Sequence, residues 1–328
     1  MTVVGYGLLA TFLFVLGSMT YAYRYRGKIR YESLGEYIRK GWPVFTPLNC
    51  LLYMFTQPRA RKPIANLEEF HELNVIRDNW EMIREEALQL YQQHYFEQTK
   101  NPDSNAYYDI GFRTFFKYGW SKFYLNWYGY THDSAKKLCP KTVALLETVP
   151  SVNGAMFSLL PVDSQLTRHL DPIACSLRYH LGLHTPNSDD CFINIDGNQY
   201  SWRNGEALLF DETFIHYARN DSPDYRLILM CDIDRPMSFI GRAINFFCKG
   251  LLRMTVVPNT DQDRRGFANA LFSGLAPFLQ KLKTLKQTNR KAYRLVKYTI
   301  NFTLLLLAAG VIAGLFKLIS GLGTLLAG

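Results

Sequence analysis

The sequence predicts a mainly β core of the jelly-roll type, with flanking α-helices and a membrane-spanning helix at each end. Three observations carry this. Between residues 107 and 236, short aromatic and β-branched runs alternate with turn signals such as Asp196-Gly197 and Asn220–Asp224, the pattern of a sandwich or barrel. On either side of that region, apolar residues recur at helical spacing. Both ends carry long uncharged runs beside clusters of Lys and Arg.

Residues 3–19 contain no charge and run into the basic stretch Tyr21–Arg30. The cations follow the apolar run and no small-residue cleavage site is evident, so 1–21 reads as an uncleaved anchor and not a signal peptide. Residues 22–66 read as a basic juxtamembrane and interfacial segment. Within it, 42–55 is apolar but too short to span, which leaves an interfacial segment, a re-entrant one or a hydrophobic cover over the domain. A domain is expected at 67–236. It opens with a helical pattern at 67–99, where Leu67, Phe70, Leu73, Ile76, Trp80, Ile83 and Ala87 recur at spacings of three and four. Strands are expected at 107–116, 122–127, 155–160, 174–183, 191–195, 207–210, 214–218 and 225–233. Residues 237–297 read as amphipathic basic helices. At 239–256, Arg242, Lys249 and Arg253 sit among large apolar residues, as on a helix lying on an anionic bilayer or an ordinary packing helix. Residues 299–316 are 18 uncharged positions inside a second membrane segment at 298–328. The positive-inside rule places both basic flanks, and the domain between them, in the cytoplasm.

The 328 residues are 48% hydrophobic and 15% aromatic, enough for a sizeable core and against disorder. The net charge of +9 asks for an anionic partner. Because the cations cluster beside apolar segments and no nucleic-acid motif is present, they read as contacts with an anionic membrane surface. Six scattered cysteines without a CxxC pair argue against a zinc knuckle or a disulfide scaffold, and for buried reduced thiols.

The chemistry concentrates in His169-Leu170-Asp171, followed 45 residues later by His216. Two imidazoles and a carboxylate form the facial triad of non-haem Fe(II) oxygenases, and the His-x-Asp spacing aims both side chains the same way from an extended segment. Arg226 lies ten residues beyond His216 across an expected hairpin, on the strand face of Ile228 and Met230. An arginine facing an apolar interior needs an anion, and its fork suits a carboxylate such as the far one of 2-oxoglutarate. Ser176, Arg178 and His180 share one face of the 174–183 strand, which suggests an anion pocket. Two alternatives stay open: Arg178 pairing with an acidic residue such as Asp211, and His180 acting as a supporting donor.

The runs Leu177–Leu183, Trp202, Gly205–His216 and Tyr225–Ile228 resemble the aspartyl/asparaginyl β-hydroxylase family of Fe(II)/2-oxoglutarate dioxygenases, over about residues 107–236. The resemblance implies a double-stranded β-helix fold. It also implies His169 and His216 as iron ligands, with Arg226, Arg178, His180 and Ser158 as 2-oxoglutarate contacts. The animal members that act on peptides have glycine where this chain has Asp171. The full triad, with the apolar N-terminus and a segment similar to Thr46–Phe55, makes the chain more similar to the bacterial LpxO-type lipid A hydroxylases. That likeness implies a hydroxylase of the bacterial inner membrane. It uses Fe(II), 2-oxoglutarate and O2 to 2-hydroxylate an acyl chain of lipid A, with ornithine lipid or a protein Asp or Asn as alternative substrates.

Overall fold

A computed structural model describes residues 3–112, 119–300 and 302–303. The chain divides into a body at Met1–Ala270 and a separate unit at Leu271–Gly328.

Ten strands build the body's two antiparallel sheets. The larger runs in the order β2 (Tyr130–Thr131), β1 (Ser121–Trp127), β3 (Val152–Leu160), β10 (Arg226–Asp234), β5 (Ser176–His184) and β8 (Ala207–Phe210). The smaller runs β4 (Ser164–His169), β9 (His216–Asn220), β6 (Cys191–Ile195) and β7 (Asn198–Ser201). From β3 to β10 the chain alternates between the sheets except at the β6–β7 hairpin, which is the double-stranded β-helix topology.

Strand alternation sorts the core. On β10, Leu227, Leu229, Cys231 and Ile233 face outward, as do Leu177, Tyr179, Leu181 and Leu183 on β5. This outer layer packs under α5 (Trp80–Gln92) and α7 (Pro140–Glu147) through Ile83, Ala87, Leu90, Val143 and Leu146. The opposite face turns Arg226, Ile228 and Met230 towards the smaller sheet. Both faces of these central strands are buried, so they read in the sequence as nearly continuous apolar runs.

At the N-terminus, α1 (Val3–Arg24) is the one helix among the described residues long and apolar enough to cross a membrane, and it is exposed along almost its whole length. After α2 (Leu34–Lys40), the apolar 42–55 stretch becomes α3 (Thr46–Phe55), which packs between α1 and α8 (Phe239–Arg253). The turn expected at Asp196-Gly197 is present, with both residues at positive φ (50° and 88°), and it joins β6 to β7 as a hairpin. All six cysteines are reduced and buried.

Three expectations change. The continuous helix at 67–99 is broken into 3-10 turns, α4 (Asn74–Asp78) and α5. Asn79 turns its side chain back onto the Val75 carbonyl, and His94 adopts a left-handed φ of 61° that ends α5. The strand expected at 107–116 is absent from its described part. Asp109 instead accepts from the Gly111 and Phe112 amides and turns the chain; 113–118 lie outside the described residues. Three short strands, β2, β4 and β7, were not anticipated; β2 has only two residues, and β4 and β7 carry too few apolar residues to show a period. Between β1 and β3 run α6 (Asp133–Leu138) and α7.

α9 (Phe267–Thr288) starts within the last residues of the body, and a further helical stretch covers 290–300 in the C-terminal unit. Most of the second membrane segment expected at 298–328 lies outside the described residues.

Gly182 sits on the inward face of β5, where the segment before β8 crosses: its amide donates to Glu206 O and its carbonyl accepts from Gly205. A Cβ there would strike the Arg203 carbonyl. Gly182→Ala is therefore expected to lower stability by about 1–3 kcal/mol, read as a drop in the denaturant midpoint. An unchanged midpoint would show that the crossing segment yields.

Candidate metal centre

His169 ends β4 and His216 begins β9, and the two residues are register partners across the antiparallel pair. Their rings lie 4.3 Å apart. Asp171 follows on the β4–β5 connection, its amide bonded to Glu212 O. One ligand atom from each of the three residues falls within 4.8 Å of the others. Asp171 lies just beyond the end of β4, so the connection, and not strand alternation, brings it beside His169.

Each imidazole is tied by the same device. Nδ1 of His169 lies 2.6 Å from Thr167 O, and Nδ1 of His216 lies 2.9 Å from Phe214 O. Donation from Nδ1 leaves Nε2 as the lone-pair nitrogen that binds metal. Burial holds both rings neutral, His169 at about 4 and His216 well below the usual imidazole range. Nε2 of His169 faces Asp171 Oδ1 at 3.9 Å, while Asp171 Oδ2 accepts from Arg178 at 2.9 Å.

Arg178, at the centre of β5, engages three carboxylates: Asp171, Glu212 on the turn after β8, and Asp232 of β10 at 2.8 Å. It does not pair with Asp211, whose partners are Arg235 and Arg26. One guanidinium against three carboxylates leaves two negative charges uncompensated. Desolvation accordingly raises Asp171, raises Glu212 to about 7 and raises Asp232 to about 6, against the opposing pull of Arg178. A divalent cation held by His169, Asp171 and His216 would offset that charge, and two imidazoles with one carboxylate suit Fe(II).

Beside the triad, between the sheets, lies a narrow pocket lined by Ser158, His180, Trp202 and Arg226. Arg226 reaches it fully buried at 1% exposure. Its guanidinium sits 4.4 Å from the centre of the Trp202 ring and donates to Ser158 Oγ, which also accepts from Trp120 Nε1. Among the described residues Arg226 has no carboxylate partner, and desolvation lowers it to about 10. Three buried nitrogens of this chamber lack a hydrogen-bond partner among the described residues: Arg226 Nε, His180 Nδ1 and Trp202 Nε1. A buried cation among donors without acceptors matches a carboxylate ligand.

The structure thus gathers His169, Asp171, His216, Arg178, His180, Ser158 and Arg226 around one cavity. Sequence reading missed Glu212, Asp232 and Trp120. Asp232 was within reach, because it continues the inward parity of Arg226, Ile228 and Met230. Glu212 carried no signal beyond an acidic turn.

Residues 77–236 match the family profile Aspartyl/Asparaginyl beta-hydroxylase. That region, just under half of the chain, is thus similar to that family. Over 137 residues the chain is 32% identical to the ornithine lipid ester-linked acyl 2-hydroxylase of Rhizobium tropici, covering 42% of this chain and 49% of that one. Over 166 residues it is 30% identical to the human aspartyl/asparaginyl beta-hydroxylase, covering 48% and 20% respectively. The chain thus spans about half the first relative and a fifth of the second. A prolyl-4-hydroxylase structure from Pseudomonas putida overlaps 48% of the chain and 87% of that enzyme at 14% identity and a TM-score of 0.31, which adds nothing to the strand order.

Removing His216 or Asp171 by alanine substitution should weaken Co(II) binding, followed by its visible absorption, at least as much as the roughly 10–100-fold typical of losing an outer partner. Unchanged affinity in both variants would dismiss the metal centre. The pH response has a definite sign. The folded state holds His169 at about 4 against an ordinary 6.5, so its contribution is intact above 6.5 and declines as pH falls towards 4. The stability advantage of the wild type over His169→Asn should shrink across that window in pH-dependent melts. A constant difference would show that His169 takes up its proton in the folded protein at the same pH as in the unfolded chain.

Proposed function

We propose that this protein is a membrane-bound Fe(II)/2-oxoglutarate-dependent dioxygenase that hydroxylates an acyl chain of a membrane lipid. The observation that carries the reading is Arg226, a buried cation with no carboxylate of its own, in the same cavity as a complete His-Asp-His triad. His169, Asp171 and His216 would hold the iron. When bound with 2-oxoglutarate, it supplies the oxidising chemistry: O2 is consumed, succinate and carbon dioxide leave, and one oxygen enters a substrate C–H bond.

The chain's own groups bind, orient and exclude water. Arg226 takes the distal carboxylate of 2-oxoglutarate, and Ser158, whose oxygen already accepts twice, offers its proton to the same group. Trp202 and His180 provide the remaining donors. Arg178 holds Asp171 by its second oxygen, which leaves Oδ1 for the metal. Phe210, Ile193, Ala218, Ile228 and Met230 close the walls and keep water out.

A lipid substrate is favoured by Asp171, by α1 and by the acyl 2-hydroxylase relative. Lipid A, modified at the 2-position of an acyl chain, is the first candidate. Ornithine lipid is the second, on the strength of that relative, and an Asp or Asn side chain of a protein the third. The basic residues after α1 favour a domain on the cytoplasmic side of a bacterial inner membrane.

Incubating the full chain with Fe(II), 2-oxoglutarate and either lipid should increase the mass of one of them by an oxygen atom. Succinate release stimulated by peptides and not by lipids would overturn the lipid reading. Arg226→Ala is expected to raise KM for 2-oxoglutarate about 100-fold, the scale of a lost buried charge pair at 2–5 kcal/mol. An unchanged KM would remove Arg226 from cosubstrate binding.

A further inference from the structure

Along α8 each residue advances about 100°, which sorts its side chains into three faces. Gly241, Asn245 and Cys248 form the buried face; Gly241 approaches Phe55 of α3, and Asn245 donates to the Cys175 carbonyl. Phe239, Ile240, Phe246, Phe247 and Leu251 form a second face, and it is bare: Phe246 is 72% and Phe247 73% exposed. Arg242, Lys249 and Arg253 run along one edge between the two. A contiguous stripe of large apolar side chains left in water costs free energy that a surface helix of a soluble domain avoids. The basic edge limits which covering surface fits. A neutral apolar protein groove would strand Arg242 and Arg253, whereas an anionic lipid surface accepts the ring faces in its acyl layer and the cations among its headgroups.

Position supports the same partner. The patch is continuous with α1 through α3, which packs on both helices and exposes Met54. These helices also grip the loops of the metal centre. Asn49 of α3 bonds Pro172 O and the Ala174 amide on either side of the turn after Asp171, α8 holds Cys175, and Arg26, just past α1, bonds Asp211 and Thr213 before His216.

We infer that α8 is a monolayer-embedded platform: its Phe239–Leu251 face sinks into the anionic leaflet that α1 leaves, and seats the metal centre's loops against the lipid surface. This does not depend on the hydroxylase reading, and its test involves no turnover.

The native cysteines are all buried, so a spin label can be placed at an introduced cysteine. Full-length Phe247→Cys is labelled in nanodiscs of phosphatidylcholine and of an equal mixture with phosphatidylglycerol. Phe12→Cys in α1 and Glu97→Cys on the domain surface serve as references. In the mixed discs the label at 247 should be several-fold less accessible to an aqueous nickel chelate than the label at 97, and accessible to oxygen like that at 12. Shielding should weaken in phosphatidylcholine alone, and Arg242→Glu with Arg253→Glu should abolish that lipid dependence. Nickel accessibility at 247 equal to that at 97 in both lipids overturns the platform. Shielding with no dependence on phosphatidylglycerol overturns the anionic partner.

Discussion

One guanidinium holds the catalytic end of this domain together. Arg178 lies on the middle of β5 and binds carboxylates from three other segments: the β4–β5 connection, the turn after β8 and the strand β10. Removing such a cation from water is costly, and in a low-dielectric interior the cost is recovered only where several ion pairs converge with good geometry. The convergence sets where Asp171 can stand. It also explains why acidic residues gather around a group that must bind a positive ion. The cluster is short of positive charge by design of its composition, and Tyr128, donating to Asp232 at 3.0 Å, is the neutral part of the same network.

A second buried ion system fixes the other side of the site. Asp211 is bound by Arg235 at 2.7 Å and by Arg26 at 2.9 Å, and the two arginines hold its carboxyl far below the usual range despite burial. Arg235 leaves the end of β10 and Arg26 leaves the end of α1. The turn that delivers His216 is therefore clamped between the sheet and the N-terminal helix. The chain between α1 and α2 adds to the clamp, since the amides of Lys28 and Ile29 donate to Asp196 at the β6–β7 turn.

How much of this could be read in the sequence depends on whether a residue's role is local. The inward parity of β5 and β10 was legible, because alternation within one strand needs no knowledge of neighbours, and it placed Arg178, His180 and Arg226 correctly on one cavity. The His-x-Asp spacing was legible as a ligand pattern, although the connection after β4, and not alternation, sets the place of Asp171. The partners of Arg178 were not, because Glu212 and Asp232 come to it from segments 34 and 54 residues further along the chain, and only the sheet order β10-β5-β8 brings them together. Asp109 shows the opposite failure. Its surroundings are rich in aromatic residues and read as strand, yet one carboxylate bonding two amides beyond it turns the chain. The short strands β4 and β7 were silent because they lie in the smaller sheet and carry many polar residues.

The anchoring of the three ligands has a consequence for how the protein comes to be loaded. Each of the two imidazoles has its own carbonyl, and the carboxylate has its own guanidinium. Each of the three side chains is held by a protein partner, so folding can be completed before any ion arrives. A scaffold assembled in that order gains little power of choice from folding around its ion. Its nitrogen and oxygen donors would bind several first-row divalent metals, some more tightly than iron by their intrinsic order. Selection then passes from the protein to the cell, through which metal is abundant and exchangeable where the domain faces. On the proposed reading, the supply of ferrous ion would become part of what determines whether the enzyme is active.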